Sequence, residues 1–310
     1  MGQTLSGVLV PAVTPFQRDL APNEGLFIAF CRWLLARGAD GLAVFGTTSE
    51  ATSLALSERQ HLLERLVEDG IPPAKLLPGT GLSALPETVA LTRHAVGLGC
   101  AGVLMLPPFY YKNVADDGLV AAYSEAIERV GDSRLRVYLY HIPQMSGVPI
   151  GLGVIERLLR KYPDTVVGIK DSSGNWEGTM AILAAFPQMT VFPATESRLV
   201  EGMALGAAGC ISASANMNIV MIRALIDAIR AKDEGAAAMQ ARVAAVRQAM
   251  EKVPPIAAVK GLFEQATGAP GWAVLRPPLT PLAAPALANL RQELAKAGFD
   301  EARAFAGLPR

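Results

Sequence analysis

Eight short apolar runs, each followed by a segment with helical spacing of its apolar residues, dominate this chain of 310 residues. The runs are hydrophobic throughout rather than alternating, which is typical of parallel strands covered on both faces. Eight strand–helix units in succession predict an α/β fold, the TIM (β/α)8 barrel. A doubly wound open sheet is the alternative, and the first run lacks the Gly-x-Gly-x-x-Gly turn that would favour it. The predicted strands are residues 7–13, 41–45, 75–79, 102–106, 136–140, 166–170, 190–193 and 209–212.

The pattern changes after Ser214, where long stretches have helical spacing and are rich in alanine. We therefore predict a barrel over residues 1–215 and a C-terminal helical extension, packed on the barrel, over residues 216–310. Surplus helices of this kind often form subunit contacts, so we expect a homo-oligomer. Within the barrel, Ser57 with Gln60 three residues later has a capping-box pattern, which predicts that a helix begins after Ser57.

Composition and charge exclude several classes of protein. Lysine plus arginine and aspartate plus glutamate balance at 28 each, so nothing indicates a partner among nucleic acids or anionic membranes. No apolar run approaches the ~18 residues of a membrane span, and the first residues lack a signal-peptide pattern. Cys31, Cys100 and Cys210 are far apart and lack metal-ligand spacing, which favours reduced, buried thiols in a cytoplasmic protein.

Lys170 is the residue with the greatest chemical significance, because it ends the apolar run 166–170 and should point into the mouth of the barrel. The chemistry of TIM-barrel enzymes takes place at this end of the strands. Burial disfavours the charged ammonium, and a neutral amine can attack a ketone to form an iminium ion. The alternative is a lysine paired with a carboxylate such as Asp171. The position alone does not separate the two.

Other strand ends add hydroxyl groups. Tyr140 ends the preceding run and could shuttle protons as a general acid and base, or it could simply fill the barrel. Thr47 and Thr48 lie in a turn after Gly46 that should open a helix, where hydroxyl and N–H groups suit a carboxylate; a plain helix cap is the alternative. Tyr111 belongs to a Tyr-Tyr pair after a Pro-Pro turn, and nothing local excludes that this pair simply packs in a hydrophobic loop.

These segments together resemble the dihydrodipicolinate synthase / N-acetylneuraminate lyase superfamily of class I, pyruvate-dependent aldolases. The resemblance covers essentially the whole chain and rests on the motifs Gly46-Thr-Thr-Ser-Glu50, Tyr110-Tyr111, Tyr140-His-Ile-Pro143, Gly168-Ile-Lys-Asp-Ser-Ser173 and Arg276-Pro-Pro-Leu-Thr-Pro281. It implies that Lys170 forms the Schiff base, that Tyr140 shuttles protons, and that Thr47 and Thr48 bind the keto-acid carboxylate and extend the proton relay. It also implies that Tyr111 reaches into a neighbouring subunit's site, in a homotetramer built as a dimer of dimers.

The chain departs from the family at two places, Met145 and His141. Met145 stands where dihydrodipicolinate synthases carry the arginine that holds the second substrate's carboxylate, and methionine offers neither charge nor paired hydrogen bonds. An acceptor aldehyde with a carboxylate is therefore disfavoured unless another arginine, such as Arg198, takes its place. Thr195 or Glu196 could bind the hydroxyl groups of a sugar acid, although Glu196 could instead start a helix. His141 stands where asparagine is common, and it could tune Tyr140 or merely pack.

The sequence therefore predicts an enzyme, a carbon–carbon or carbon–oxygen lyase that acts on a keto-deoxy sugar acid or a similar hydroxy-keto acid. Its small-molecule partners would be a keto acid and an aldehyde, and no metal or organic cofactor is implied beyond the covalent Schiff base at Lys170. The alternatives are a dihydrodipicolinate synthase or sugar-acid dehydratase of the same superfamily and, in another class, a barrel that binds a keto acid without turnover. The candidate catalytic residues are Lys170, Tyr140, Thr48 and Tyr111, and the candidate substrate-binding residues are Gly46, Thr47, Thr48, Glu196 and Ile211.

Overall fold

The computed structural model describes residues 5–310, so the first four residues of the predicted barrel unit lie outside it. Its parallel strands form two sheets, in the orders β2-β1-β7 and β3-β4-β5-β6. The strands are β1 (Gly7–Val10), β2 (Gly41–Leu42), β3 (Val103–Met105), β4 (Val137–His141), β5 (Val166–Asp171), β6 (Thr190–Pro193) and β7 (Gly209–Ile211).

Backbone hydrogen bonds join the two sheets into a ring at both junctions. At one junction the segment 76–80 lies between β2 and β3: Leu77 N donates to Leu42 O and Thr80 N donates to Leu104 O, each at 2.9 Å. At the other junction Ala208 N, just before β7, donates to Val191 O of β6 at 2.9 Å. The predicted α/β barrel is confirmed. The third predicted strand makes only isolated bridges, since Pro78 within it has no N–H to donate.

Helices alternate with the strands and then continue beyond β7. The first helix after β2 begins at Leu56 rather than after Ser57, because Glu58 Oε2 accepts a hydrogen bond from Ala55 N at 2.8 Å and caps the helix two residues earlier than predicted. The predicted boundary of the extension falls at the beginning of α9. The helices are α1 (Glu24–Ala36), α2 (Leu56–Glu68), α3 (Leu85–Gly97), α4 (Asp116–Val130), α5 (Pro143–Ser146), α6 (Leu152–Lys161), α7 (Trp176–Ala185), α8 (Leu199–Ala204), α9 (Ala215–Arg230), α10 (Ala236–Glu251), α11 (Pro255–Thr267), α12 (Ala284–Lys296) and α13 (Glu301–Ala304).

Two apolar clusters hold the barrel together. The larger one lies between the strands and the surrounding helices. The smaller one includes Leu9, Leu104, Tyr138 and Phe192, one from each of four strands, which is typical of a barrel interior. Gly168 leaves space for the Tyr138 ring, since a Cβ at this position would lie 2.4 Å from the ring.

Strand alternation then places the inward-facing residues two positions further along, at the mouth of the barrel. Tyr140 follows Tyr138 by two residues on β4, and Lys170 follows Gly168 by two on β5. Both side chains therefore point toward the carboxyl end of the barrel. No helix within residues 5–310 combines the length and the apolar character needed to cross a membrane.

Candidate active site

Lys170 and Tyr140 are direct neighbours across the pairing of β4 and β5. The Lys170 side chain is 4% exposed, and its Nζ lies 3.3 Å from the Tyr140 hydroxyl and 4.4 Å from the centre of the Tyr140 ring. No ion pair to a carboxylate is found for Lys170 in the part of the chain described, whereas the neighbouring Asp171 is engaged elsewhere. The amine is thus held beside a proton-carrying hydroxyl.

Thr47 extends this contact into a chain of three groups. Its Oγ1 lies 3.1 Å from the Tyr140 hydroxyl, so hydrogen bonds connect Thr47 through Tyr140 to Lys170. Thr47 and Thr48 were expected to open a helix, and they lie in a 3-10 helix of a single turn, Thr47–Ser49. The turn cannot continue as an α-helix because Glu50 follows it with a left-handed backbone, φ 57°. The resulting arrangement can relay a proton between Thr47 and the amine.

The carboxylate of Glu50 anchors this turn from below. Glu50 Oε1 accepts a hydrogen bond from Lys260 Nζ at 2.7 Å, and Oε2 accepts one from Arg276 N at 3.2 Å. Lys260, on α11, also donates to Thr14 O at 2.9 Å and is fully buried. Burial lowers the pKa of Lys260 to about 8 even though the Glu50 carboxylate acts in the opposite direction. The extension therefore supports the loop that carries Thr47 and Thr48.

A cavity of about 800 Å³ opens above these groups at the carboxyl ends of the strands. Four of the predicted site residues besides Tyr140 line it: Lys170, Thr47, Thr48 and Ile211. Gly46 instead borders a smaller adjoining cavity of about 180 Å³, which shares Thr47 and Tyr140. Met145, which is 65% exposed, also borders the large cavity and brings no charge to it.

The structure does not bring Glu196 into this cavity. Its carboxylate is fully buried, accepts a hydrogen bond from Ser214 Oγ and lies 3.7 Å from Arg247 Nη1. Glu196 does not start a helix either, since α8 begins at Leu199. Thr195, the other residue considered for sugar hydroxyls, does line the cavity.

Arg247, on α10, is a charged cavity residue that the sequence analysis missed. Nε donates to Glu251 Oε1 at 2.8 Å and Nη1 donates to Ser212 Oγ at 2.7 Å. Burial by itself lowers the pKa of Arg247, but the Glu196 and Glu251 carboxylates outweigh this and raise it. The sequence signal was weak, because one arginine in a helical pattern is usually a solvated surface residue.

His141 and Asp171 form a second polar pair behind the strand ends. His141 Nδ1 lies 3.0 Å from Asp171 Oδ1, while Asp171 Oδ2 accepts a hydrogen bond from Thr179 Oγ1 at 2.5 Å. Burial raises the pKa of Asp171, yet the hydrogen bonds from His141, Thr179 and Ser173 outweigh it and keep that pKa below its usual value. The Lys170–Asp171 pairing considered from the sequence is therefore replaced by one between Asp171 and His141.

Tyr110 and Tyr111 lie apart from the cavity on the protein surface. Their side chains are 75% and 74% exposed, and the two rings meet edge to face with centroids 5.4 Å apart. Neither ring lines the 800 Å³ cavity of its own subunit. Within residues 5–310 no group of three or more His, Cys, Asp or Glu residues is placed to hold a metal ion.

Comparison with known proteins agrees with this geometry. The sequence profile of the dihydrodipicolinate synthetase family matches residues 4–297. The chain is 35% identical over 286 residues to an uncharacterized DapA-like lyase of Chloroflexus aurantiacus, covering 92% of this chain and 94% of the relative. It is 30% identical over 298 residues to the 4-hydroxy-tetrahydrodipicolinate synthase of Acidiphilium cryptum, covering 94% and 98%. Among solved structures, dihydrodipicolinate synthase from Agrobacterium tumefaciens superposes with a TM-score of 0.85 at 30% identity, covering 94% of this chain and 99% of that one.

A TIM barrel with a lysine, a tyrosine and a threonine in hydrogen-bond contact at its mouth defines a lyase of the class I aldolase type. The chain belongs to the dihydrodipicolinate synthetase family.

Proposed function

We propose that this enzyme forms a Schiff base between Lys170 and pyruvate or a related α-keto acid, and that it makes or cleaves a carbon–carbon bond next to the resulting iminium. The observation that carries the proposal is the contact of the buried Lys170 Nζ with the Tyr140 hydroxyl at 3.3 Å, extended by the 3.1 Å contact to Thr47. No cofactor is needed in this proposal, because the covalent iminium itself withdraws electrons.

The geometry supports a defined sequence of proton transfers. The neutral amine of Lys170 adds to the ketone carbon, and the Tyr140 hydroxyl supplies the proton with which the former carbonyl oxygen leaves as water. In the cleavage direction, the Tyr140 phenolate left by that step takes the proton of the C4 hydroxyl and the C3–C4 bond breaks. An aldehyde is released, and the electron pair of the broken bond moves into the iminium to give an enamine. Protonation at C3 and addition of water then release pyruvate and free Lys170. Thr47 and Thr48 bind the keto-acid carboxylate and complete the relay.

We propose a keto-deoxy sugar acid or a similar hydroxy-keto acid as the full substrate. The competing assignment is 4-hydroxy-tetrahydrodipicolinate synthase, the activity named for the Acidiphilium cryptum relative. It shares Lys170 but requires a second substrate with a carboxylate. Met145 supports the sugar-acid assignment, since this exposed thioether at the cavity rim cannot bind such a carboxylate. Arg198 also lines the cavity, and its charge is paired with Glu201 at 3.0 Å.

We further propose that the enzyme is a homotetramer in which Tyr111 completes the site of a neighbouring subunit. The 74% exposure of Tyr111 supports this, because a large aromatic side chain at the surface is typical of an interface. Cytoplasmic location is part of the same proposal and rests on the free thiols Cys31, Cys100 and Cys210.

Borohydride reduction tests the proposal directly. Wild type incubated with pyruvate and then reduced should gain the mass of one reduced pyruvate per chain, and peptide mapping should place it on Lys170. Lys170→Ala, confirmed as folded by circular dichroism, should gain nothing. Tyr140→Phe should still be trapped at long incubation but should form the adduct about 10²- to 10⁴-fold more slowly. Absence of a wild-type adduct at saturating pyruvate, or an adduct on another lysine, would overturn the proposal.

A further inference from the structure

A polar patch on α10 faces the same cavity as Lys170 from the side of β6 and β7. Arg247 and Glu251 both line the cavity, together with Gln248 between them. Arg247 Nη1 binds Ser212, which directly follows β7, and lies 3.5 Å from Ala194 O, which directly follows β6. The patch therefore lies above the ends of these two strands.

The position of this patch determines which part of a substrate bound at Lys170 it can reach. Lys170 is on β5, whose neighbours in the sheet are β4 and β6. Tyr140 lies on the β4 side of Lys170, and Thr47 contacts the Tyr140 hydroxyl there. A keto acid whose carboxylate lies toward Thr47 and Thr48 has the rest of its carbon chain available to the β6 side, toward Arg247.

The Arg247 side chain is held in one orientation, but residues 5–310 do not engage all of its N–H donors. Glu251 accepts a hydrogen bond from Nε and Ser212 accepts one from Nη1, with the Glu196 carboxylate 3.7 Å from Nη1. In contrast, Nη2 makes no hydrogen bond to any of residues 5–310. Because the guanidinium is planar and fixed at Nε and Nη1, the two N–H groups of Nη2 are held in a defined direction and are free to bind a ligand. Beside it, the Glu251 carboxylate retains capacity to accept hydrogen bonds.

The charges of the patch distinguish a neutral ligand from an anionic one. One guanidinium lies between two carboxylates, the buried Glu196 at 3.7 Å and Glu251 at 2.8 Å. A distal carboxylate or phosphate would meet a charge that is already neutralised and would lie next to Glu251. A hydroxyl group, in contrast, can accept from Nη2 and donate to Glu251 at once.

We infer that Arg247 and Glu251 form the subsite that recognises the hydroxyl groups of the substrate beyond the reacting carbon, with Glu196 acting through Arg247 as a positioning residue. This inference rests on the proposed Schiff-base function and assigns its substrate class, a polyhydroxylated keto acid. It places acceptor recognition on the C-terminal extension rather than on the barrel loop that contains Met145.

Aldol addition of pyruvate to two aldehydes of equal length tests the inference. Glyceraldehyde carries hydroxyl groups and propanal carries none. Arg247→Lys keeps the charge beside Glu196 but loses the fixed fork of donors, and it should lower kcat/KM for glyceraldehyde about tenfold or more while changing that for propanal little. Glu251→Gln, at an exposed position, should also lower kcat/KM for glyceraldehyde and not for propanal, but by a smaller factor than Arg247→Lys. Arg242→Lys, an exposed arginine on the same helix, is the matched control and should change neither value.

A binding measurement that needs no Schiff base separates this inference from the proposed function. Calorimetric titration should show that wild type binds gluconate, which has hydroxyl groups but no ketone, more tightly than hexanoate, and that Arg247→Lys loses the preference. Equal binding of both acids by wild type, or an unchanged preference in Arg247→Lys, would overturn the inference even if pyruvate is trapped at Lys170. If Arg247→Lys lowered kcat/KM more for the anionic acceptor succinic semialdehyde than for glyceraldehyde, this would also overturn the inference, in favour of an anion subsite.

Discussion

Two lysines in this protein are almost completely removed from solvent, and their partners give them different roles. Within residues 5–310, Lys170 Nζ makes its hydrogen bond and its cation–π contact with Tyr140, and Lys170 lines the cavity. Lys260 is enclosed by Glu50 and Thr14 O and has no access to a ligand. Burial alone therefore does not distinguish the two lysines, whereas a position next to a cavity without a carboxylate partner makes Lys170 the candidate for the reactive one.

Asp171 gives rise to a pH-dependent prediction at the scale of a single residue. Its folded-state pKa lies below the ordinary value of 3.8, so its carboxylate contributes stability that is present above pH ~4 and is lost as the pH falls through the folded-state pKa. Asp171→Asn removes this contribution. We expect wild type to be more stable than Asp171→Asn at pH 7, with a difference that shrinks below pH 4. Urea unfolding at pH 7, 5, 4 and 3 measures it, and a difference that is constant with pH would contradict it.

The sequence was informative about residues whose chemistry shows in a local motif. Lys170, Tyr140 and Thr47 were predicted together, and the structure brings them into hydrogen-bond contact. Arg247 could not be predicted, because its partner Ser212 lies 35 positions away in the sequence. Nothing in the residues next to Arg247 indicates that its side chain faces the cavity. The burial of Glu196 was missed for the same reason.

At the scale of elements, the 3-10 turn Thr47–Ser49 is held in place by parts of the chain that follow the barrel. Lys260 of α11 lies 210 positions after Glu50, and Arg276 lies 226 positions after it. Thr14 Oγ1 adds a hydrogen bond to Ser49 O at 2.8 Å. The extension is therefore part of the support of the active site.

Breaking the buried pair should destabilise the protein strongly. Lys260→Met leaves the Glu50 carboxylate buried without its cation, and Glu50→Gln leaves the ammonium uncompensated, so each should lower the free energy of unfolding by about 3–5 kcal/mol. The double variant should lose clearly less than the sum, because no unpaired charge remains. Urea unfolding monitored by circular dichroism gives the three values.

A surface ion pair provides the control for this experiment. Lys252 and Glu293 are 2.8 Å apart, with the lysine side chain 61% exposed, so Lys252→Met should change the unfolding midpoint little. Additive losses in the double variant, or equal effects of Lys260→Met and Lys252→Met, would show that the Lys260–Glu50 pair has no special role.

Element prediction failed where one residue changed the local hydrogen bonding. Periodicity correctly predicted the order of strands and helices, but Pro78 reduces the third strand to isolated bridges. Ser57 matched a capping pattern, yet Glu58 caps the helix from within its first turn. A hydrophobic pattern reports which face is buried, and it contains little information about which backbone group bonds to which.

At the scale of the whole molecule, the exposed tyrosine pair suggests a test for shared active sites. If Tyr111 completes a neighbouring site, Tyr111→Phe and Lys170→Ala homo-oligomers should both be poorly active. A mixed pair should regain one good site, which combines the intact Lys170 of one subunit with the intact Tyr111 of the other. Co-expression with two different affinity tags isolates the mixed oligomers, and aldol activity measures the gain.

Tyr110→Phe is the matched control, because its ring contacts Tyr111 and is equally exposed. It should retain activity by itself and show no gain on mixing with Lys170→Ala beyond the average of the two. Mixed Tyr111→Phe and Lys170→Ala oligomers without any gain would mean that each site is built from a single chain.

Helices α10 and α11 are separated by only the residues 252–254, yet α10 lines the cavity and α11 holds the loop that contains Thr47 and Thr48. If Arg247 and Glu251 recognise the acceptor as proposed, specificity and support of the Thr47–Ser49 turn are encoded in one continuous stretch of chain. A chimera that exchanges residues 236–267 with those of a relative would transfer both properties together and would need a compatible acid at position 50. A crossover point placed between the two helices would instead give hybrids in which the acceptor preference of one parent is joined to the catalytic loop of the other.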